Sequence, residues 1–308
     1  MLVRNAMHTS SVTIDAQDSL SQATVMMQTL RVRRLLVMSD GALVGLITDG
    51  QVARALPQPS DRRTPWEIIC LANTLRVSEI MRREVFTTRP DDDLRQAIQI
   101  LLDRHVGGLP VLYQDGTLVG ILTLTDVLRA AATIGLGHVP PDWDTSGWDP
   151  AAWGTVRQHM SGDPVTVSLD LPLSEAAARL IATRLRVLPV TQGGTLLGVV
   201  HLQDIKAAIG HQEAAQGTVL HGPSSLDHHL SLEGKTVRDL MCFPGAEVLA
   251  DAPMTEAVRA MLATDVHGLP VMEGDPHEFL GVITVSDVLR ALQTGSQSRM
   301  KSREAKPA

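Results

Sequence analysis

The hydrophobic pattern of the chain comes round four times. A Val-x-x-x-Met string opens each segment, at Val3 to Met7, Val77 to Met81, Val156 to Met160 and Val237 to Met241. A short β-like stretch such as SVTI or PVTV follows. Next come apolar residues at i, i+3, i+4 and i+7, as in Leu94, Ala97, Ile98 and Leu101, which predict an amphipathic helix. Each helix carries an apolar residue three positions before an alanine: Leu20 and Ala23, Leu94 and Ala97, Leu173 and Ala176, Met254 and Ala257. The runs RRLLVM, GGLPVL, RVLPVT and HGLPVM predict short buried strands. Gly- and Asp-bearing turns (SDG, YQDG, QGG, EGDPHE) then lead into a second strand, as in a hairpin.

The last part of each segment is the most alike. GLITDGQV from Gly45, GILTLTDV from Gly120, GVVHLQDI from Gly198 and GVITVSDV from Gly281 align without gaps and predict a strand running into a helix. The distance from the helix marker to Leu36, Pro110, Pro189 and Pro270 is constant. Leu36, where the others have Pro, is expected to weaken strand entry in the first copy. Each unit therefore reads β-α-β-β-α, an α/β (α+β) fold in about 50–60 residues, which is small enough that pairs are expected to pack together.

The expected boundaries are repeat one over 1–57, then a linker helix starting near Pro65 with repeat two over 58–134. A Trp/Pro/Gly linker spans 135–154 and repeat three 155–211. A linker over 212–234, repeat four over 235–294 and a disordered tail over 295–308 complete the chain. The 135–154 linker holds three of the four tryptophans and is expected to cap an interface between the halves.

Composition narrows the function. The 308 residues carry a net charge of −7 with 44% hydrophobic content, enough for a sizeable core. No long basic run is present, so binding to nucleic acid through phosphate neutralisation is not expected. No apolar run approaches the ~18 residues of a membrane span, and the N-terminus lacks a signal-peptide plan. A soluble cytoplasmic protein is expected. Cys70 and Cys242 stand alone, and His221, His228 and His229 have no completing thiol or carboxylate pattern, so no metal site is expected. No GxSxG, Walker or HExxH motif occurs, and Asp91, Asp92 and Asp93 sit at a predicted helix start as solvated charges. No catalytic residue is expected.

The carboxylate of the repeated string needs its own account. Thr123-x-x-Asp126 suits a capping box at a helix start. In copy one, Thr48-x-x-Gln51 keeps the cap without the charge; in copy three, His201-x-x-Asp204 keeps the charge without the hydroxyl. Cap and carboxylate vary independently, so capping alone does not explain the acid. A carboxylate after a glycine-started strand, beside a helix N-terminus, can accept both hydrogen bonds of a ribose diol.

The βαββα unit, the GLPV strand and the G-h-h-T-x-x-D string resemble the CBS (cystathionine β-synthase) domain family, over nearly the whole chain outside the linkers and tail. The resemblance implies four repeats in two pseudo-symmetric tandem pairs that bind AMP, ADP, ATP or S-adenosylmethionine between paired units. It leaves open whether Mg²⁺ accompanies a triphosphate. It implies ribose acceptors at Asp126, Asp287 and Asp204, with Thr123, Thr284 and His201 near ribose or phosphate. It implies phosphate contacts from Arg33, Arg34, Arg186 and His267. The β stretch that opens a unit would line adenine, through Val85, Thr87, Val165, Ala246 and Val248. The cleft with Gln51 faces Gly107 and Gly108 and is expected to bind phosphorylated ligands poorly.

The function expected is that of a non-enzymatic sensor. It would pass a ligand-driven change to an unknown regulated protein or an oligomer, as an intramolecular disc or a homodimer. The alternative is a ligand-free interaction scaffold.

Overall fold

The computed structural model describes residues 1–55, 65–183, 185–202, 204–205, 234–274 and 278–293, with the side chains at 65, 66, 68 and 69 set aside. The expected tail over 295–308 and the linker histidines 221, 228 and 229 lie outside the described residues.

Repeat one runs α1 (Val3–Ala6), β1 (Thr13–Asp15), α2 (Leu20–Thr29), β2 (Arg34–Ser39), β3 (Ala42–Thr48) and α3 (Asp49–Ala55). Helix α4 (Pro65–Thr74) then packs on α2. Repeat two has α5 (Val77–Ile80), α6 (Leu94–Asp103), β4 (Gly108–Leu112), β5 (Leu118–Thr123) and α7 (Leu124–Gly135). Repeat three has α8 (Leu173–Thr183), β6 (Val187–Gln192) and β7 (Thr195–His201), and a helix begins at 202. Repeat four has β8 (Val248–Leu249), α9 (Met254–Thr264), β9 (Gly268–Glu273), β10 (Glu278–Thr284) and α10 over 285–293. Mixed helix and sheet in four copies is the fold class that the pattern predicted.

Each helix follows its apolar spacing. In α6, Leu94, Ala97, Ile98 and Leu101 are all buried, and the Asp93 side chain caps the first turn by accepting from Arg95 N at 2.9 Å. Asp91 and Asp92 also have local partners: Asp91 pairs with Arg4 at 2.7 Å, and Asp92 accepts from Thr88 Oγ1 and Arg89 N.

The opening β stretch is uneven between copies. In repeat one it is a strand, β1 parallel to β2; in repeats two and three it shrinks to single bridges, Thr88 to Val111 and Val167 to Val190. Leu36 does not weaken the first copy. Its N–H donates to Val12 O at 3.0 Å, a ladder bond that the prolines of the other repeats cannot make.

Repeats pair by crossing their opening segments. His8 forms a backbone bridge with Ile121 of repeat two, and Arg82 forms one with Leu46 of repeat one. Ser161 with Val282 and Cys242 with Val199 make the same exchange between repeats three and four. This crossing explains the glycine that starts each motif. A Cβ on Gly120 would fall 2.5 Å from His8 O, and one on Gly198 would fall 2.6 Å from Cys242 O. Gly45 would meet Met81 Sδ at 2.5 Å, and Gly281 would meet Ser161 O. Close backbone approach leaves no room for a side chain.

The two pairs join unequally. Repeats two and four share one core through α7 and α9, while repeats one and three keep small cores of their own. Trp153 (1% exposed) and Trp148 (4%) of the linker are buried in the shared core. Arg95 lies over the Trp148 ring, 4.9 Å from its centroid. The tryptophans thus plug the seam between halves, as the linker composition suggested. Between repeats one and three lies instead a cavity of about 420 Å³.

Candidate functional site

Four clefts arise where the carboxylate end of one repeat meets the opening segment and helix–strand turn of its partner. Their chemistry differs residue by residue.

In the first, Thr123 ends β5 and caps α7. Its N–H and hydroxyl donate to Asp126 Oδ2 at 2.8 and 2.5 Å, and its Oγ1 accepts from Asp126 N at 3.3 Å. The capping box is therefore complete. Arg129 Nη1 donates to Oδ1 at 3.0 Å, and His8 Nδ1 donates to Oδ2 at 2.9 Å. Asp126 is only 3% exposed. The cavity in front of it is about 350 Å³ and is lined by Ser10, Ser11, Val12, Arg33, Arg34 and Thr123.

The second cleft repeats the geometry with one change. Thr284 donates from N and Oγ1 to Asp287 Oδ2 at 2.9 and 2.6 Å, and Arg290 Nη1 donates to Oδ1 at 2.8 Å. Ser161 holds the position of His8, and the Asp287 side chain is 13% exposed. The cavity is about 400 Å³, lined among others by Pro164, Val165, Arg186, His267 and Thr284. Val165 is itself 40% exposed.

The third cleft has Gln51. Its Oε1 accepts from Thr48 N and Oγ1 at 3.0 Å, and its Nε2 donates to Ile80 O at 3.1 Å, so the amide braces repeat one against repeat two. The expectation that this cleft lacks basic groups is not met. Arg34, Arg54 and Arg82 line its cavity of about 410 Å³. Gly107 and Gly108 are what admit Arg34: a Cβ there would lie 2.7 and 2.8 Å from its guanidinium nitrogens. Val85 lines this cleft too, beside Phe86, over which Arg82 and Arg104 stack at 5.4 and 4.8 Å. Thr87 lies in the same opening segment, just before the Thr88 bridge.

The fourth cleft brings His201, Asp204 and Cys242 together, with ligand atoms within 4.8 Å of one another. Burial pushes the His201 imidazole down, and burial with the Asp204 charge pushes the Cys242 thiol up. Val248 of the adjoining opening stretch is 2% exposed in the shared core, and Ala246 packs against that core.

The four predicted phosphate contacts converge. Arg33, Arg34, Arg186 and His267 line the central cavity between repeats one and three, with Asp49 and Asp265 beside them. Burial and the Arg186 charge hold Arg34 below its usual range, and burial and Arg33 do the same to Arg186. Burial, then Arg186 and Arg33, lower His267 to about 4. Arginines held close together at a cavity wall are suited to an anion.

Residue 8 was not legible as functional in the sequence. It follows the Val-x-x-x-Met string, where the copies read His8, Arg82, Ser161 and Cys242, and that variety was the available signal.

The fold and clefts define a quasi-symmetric protein of four tandem units in two pairs. The CBS domain model matches residues 3–58, 77–133, 156–211 and 237–294, and the chain belongs to the CBS domain family. It is 23% identical over 295 residues to the uncharacterized protein MJ1225 of Methanocaldococcus jannaschii, covering 94% of this chain and 98% of that one. The solved structure of MJ1225 superposes with a TM-score of 0.68 at 20% identity, over 94% of this chain and 99% of the other. An uncharacterized conserved protein of Pyrococcus horikoshii gives 0.63 at 20% identity, over 95% and 100%. A CBS domain-containing protein of Dictyostelium discoideum is 30% identical over 142 residues, covering 46% of this chain and 97% of that one. Among the described residues no helix is long and apolar enough to cross a membrane.

Proposed function

We propose that the protein is a non-enzymatic cytoplasmic sensor that binds AMP, ADP, ATP or S-adenosylmethionine between paired repeats. The observation that carries the reading is the Asp287 cleft. It has a cavity of about 400 Å³ lined by Thr284, an apolar wall at Pro164 and Val165, and the Arg186–His267 edge of the basic cluster, with the 13% exposed Asp287 carboxylate three residues beyond Thr284. Asp287 would accept the ribose diol, Thr284 would lie near the ribose or phosphate, and the cluster would take the phosphate. Asp126 with Thr123, Arg33 and Arg34 forms the second site, and Asp204 the third. Arg186 and His267 border both the Asp287 and the Asp126 cavities, so occupancy of one is felt by the other. A ligand shifts the packing of the pairs only through its differential affinity for their arrangements, and a protein partner or oligomer reads that shift.

A second reading, a ligand-free scaffold, is favoured by Asp126, whose two oxygens already accept from four groups: Thr123 N, Thr123 Oγ1, His8 and Arg129. Calorimetric titration with AMP, ADP, ATP, NAD and S-adenosylmethionine separates the two. On the sensor reading one ligand binds in the micromolar range, and Asp287→Asn weakens it about ten- to a hundredfold, since a charged acceptor contributes ~1.5–3 kcal/mol. Binding of none of the five leaves the scaffold, and binding that ignores both Asp287→Asn and Asp126→Asn removes the motif carboxylates from the ligand reading.

A further inference from the structure

We propose that His201, Asp204 and Cys242 form a binding site for a first-row transition-metal dication, Zn²⁺ by the chemistry of the donor set. The site occupies the one cleft whose motif has lost its threonine. In the sister repeats Thr48, Thr123 and Thr284 tie up the side chain three residues on, through hydroxyl hydrogen bonds of 3.0, 2.5 and 2.6 Å. At position 201 an imidazole replaces that hydroxyl, so the Asp204 carboxylate has a metal ligand beside it instead of a competing donor.

The third ligand comes from the partner repeat. Cys242 sits on Val199 through two backbone hydrogen bonds, Val199 N to Cys242 O at 2.9 Å and Cys242 N to Val199 O at 3.0 Å. His201 is two residues along β7, on the same face of the strand as Val199. The molecule itself contains a control for this reach. His8 stands at the equivalent crossing of the first pair, and its side chain contacts Asp126 at 2.9 Å. A side chain at that crossing can thus reach the carboxylate of the motif; in the fourth cleft it is a thiol, which donates to Val199 O at 3.7 Å and lies within 4.8 Å of the Asp204 and His201 ligand atoms.

All three ligand atoms lie within 4.8 Å of one another. Ligands on a tetrahedral zinc, at bonds of about 2.0–2.3 Å, are separated by about 3.5 Å, so small side-chain rotations close the set. One imidazole, one carboxylate and one thiolate favour Zn²⁺ over Mg²⁺ or Ca²⁺, which take oxygen. Three protein ligands leave a fourth position for water or an anionic group. The ligands sit on two repeats of one pair, so the ion would also clamp repeat three to repeat four. This goes beyond the nucleotide reading, is independent of the Asp287 and Asp126 sites, and replaces the ribose role of Asp204 with a metal-binding one.

The test uses the metal-stripped full chain and Co²⁺, with Zn²⁺ as competitor. The expected result is a thiolate-to-Co²⁺ charge-transfer band that saturates at about one equivalent and is bleached by Zn²⁺. Zn²⁺ is expected to raise the melting temperature and to protect Cys242 from alkylation. Cys242→Ser and His201→Thr lose the band, while Cys70→Ser keeps it. His201→Thr restores the residue of the three sister repeats, so it keeps the helix cap and separates metal loss from misfolding. No band in the parent chain, an equal band in Cys242→Ser, or metal bound only through His221, His228 and His229 without sulfur would each overturn the assignment. Alkylation of Cys242 at an unchanged rate in saturating Zn²⁺ would do so in the unmutated protein.

Discussion

Asp126 and Asp287 occupy the same place in the same motif, cap the same kind of helix and accept the same arginine three residues on, yet only one is closed. The difference comes from the crossing residue of the partner repeat. His8 reaches Asp126 and leaves it 3% exposed; Ser161 stands at the matching point and Asp287 is 13% exposed. A group approaching the Asp126 carboxylate must displace an imidazole, and one approaching Asp287 need not. Two sites that read as equivalent within their own repeats are thus set apart by the repeat opposite.

Exchanging the crossing residues is the most direct way to break the comparison. Ser161→His is expected to close the Asp287 cleft and lower adenine-nucleotide affinity about tenfold or more, ~1.4 kcal/mol upward, as read by calorimetry. Unchanged affinity would mean that position 161 does not govern access. His8→Ser is the smaller, reciprocal change. It is expected to open the Asp126 cleft and raise affinity there several-fold, up to about tenfold, seen as a second or stronger binding isotherm. If the isotherm of the parent chain is reproduced, the imidazole is no obstacle.

The smallest effect is on stability and concerns the edge both clefts share. His267 is held at about 4 in the folded protein by burial and by Arg186 and Arg33, against about 6.5 when unfolded. Between these values the unfolded chain binds more protons, so stability rises with pH. The contribution is full above about pH 6.5 and is lost as pH falls toward 4. Allowing for partial solvent screening, it amounts to about 1 kcal/mol between about pH 7 and 5. Urea unfolding of the parent chain and His267→Gln should show the variant losing less stability over that range; parallel losses would remove His267 from the account. An anion bound in the cluster should raise the His267 pKa, so ligand binding near about pH 6 should take up protons, visible as buffer-dependent binding enthalpy.

Much of the fold is set locally and was legible as such. The helical spacing of Leu94, Ala97, Ile98 and Leu101, the hairpin turns and the register of the Gly45, Gly120, Gly198 and Gly281 strings depend on residues near one another in the chain. The alignment and the family resemblance singled out Arg33, Arg34, Arg186 and His267 one by one, for separate clefts; that they line one cavity between repeats one and three was not legible, because it depends on how the two pairs dock. The role of Leu36 was misread because its N–H partner, Val12 O, comes from the residue just before β1, more than twenty positions earlier in the chain. The basic lining of the Gln51 cleft was missed because Gly107 and Gly108 suggested missing charge, where they in fact make room for Arg34.

The sequence by itself determined the repeat, its elements, its family and the carboxylate of each motif, because periodicity, capping and turn chemistry act over a few residues. Only the tertiary structure decided which carboxylates stay open, where Trp148 and Trp153 are buried, and that His201, Asp204 and Cys242 meet. These depend on the crossing of opening segments between paired repeats and on the seam between pairs. Side chains remote in sequence are brought close together there by backbone contacts that the glycines permit, and no local pattern records them.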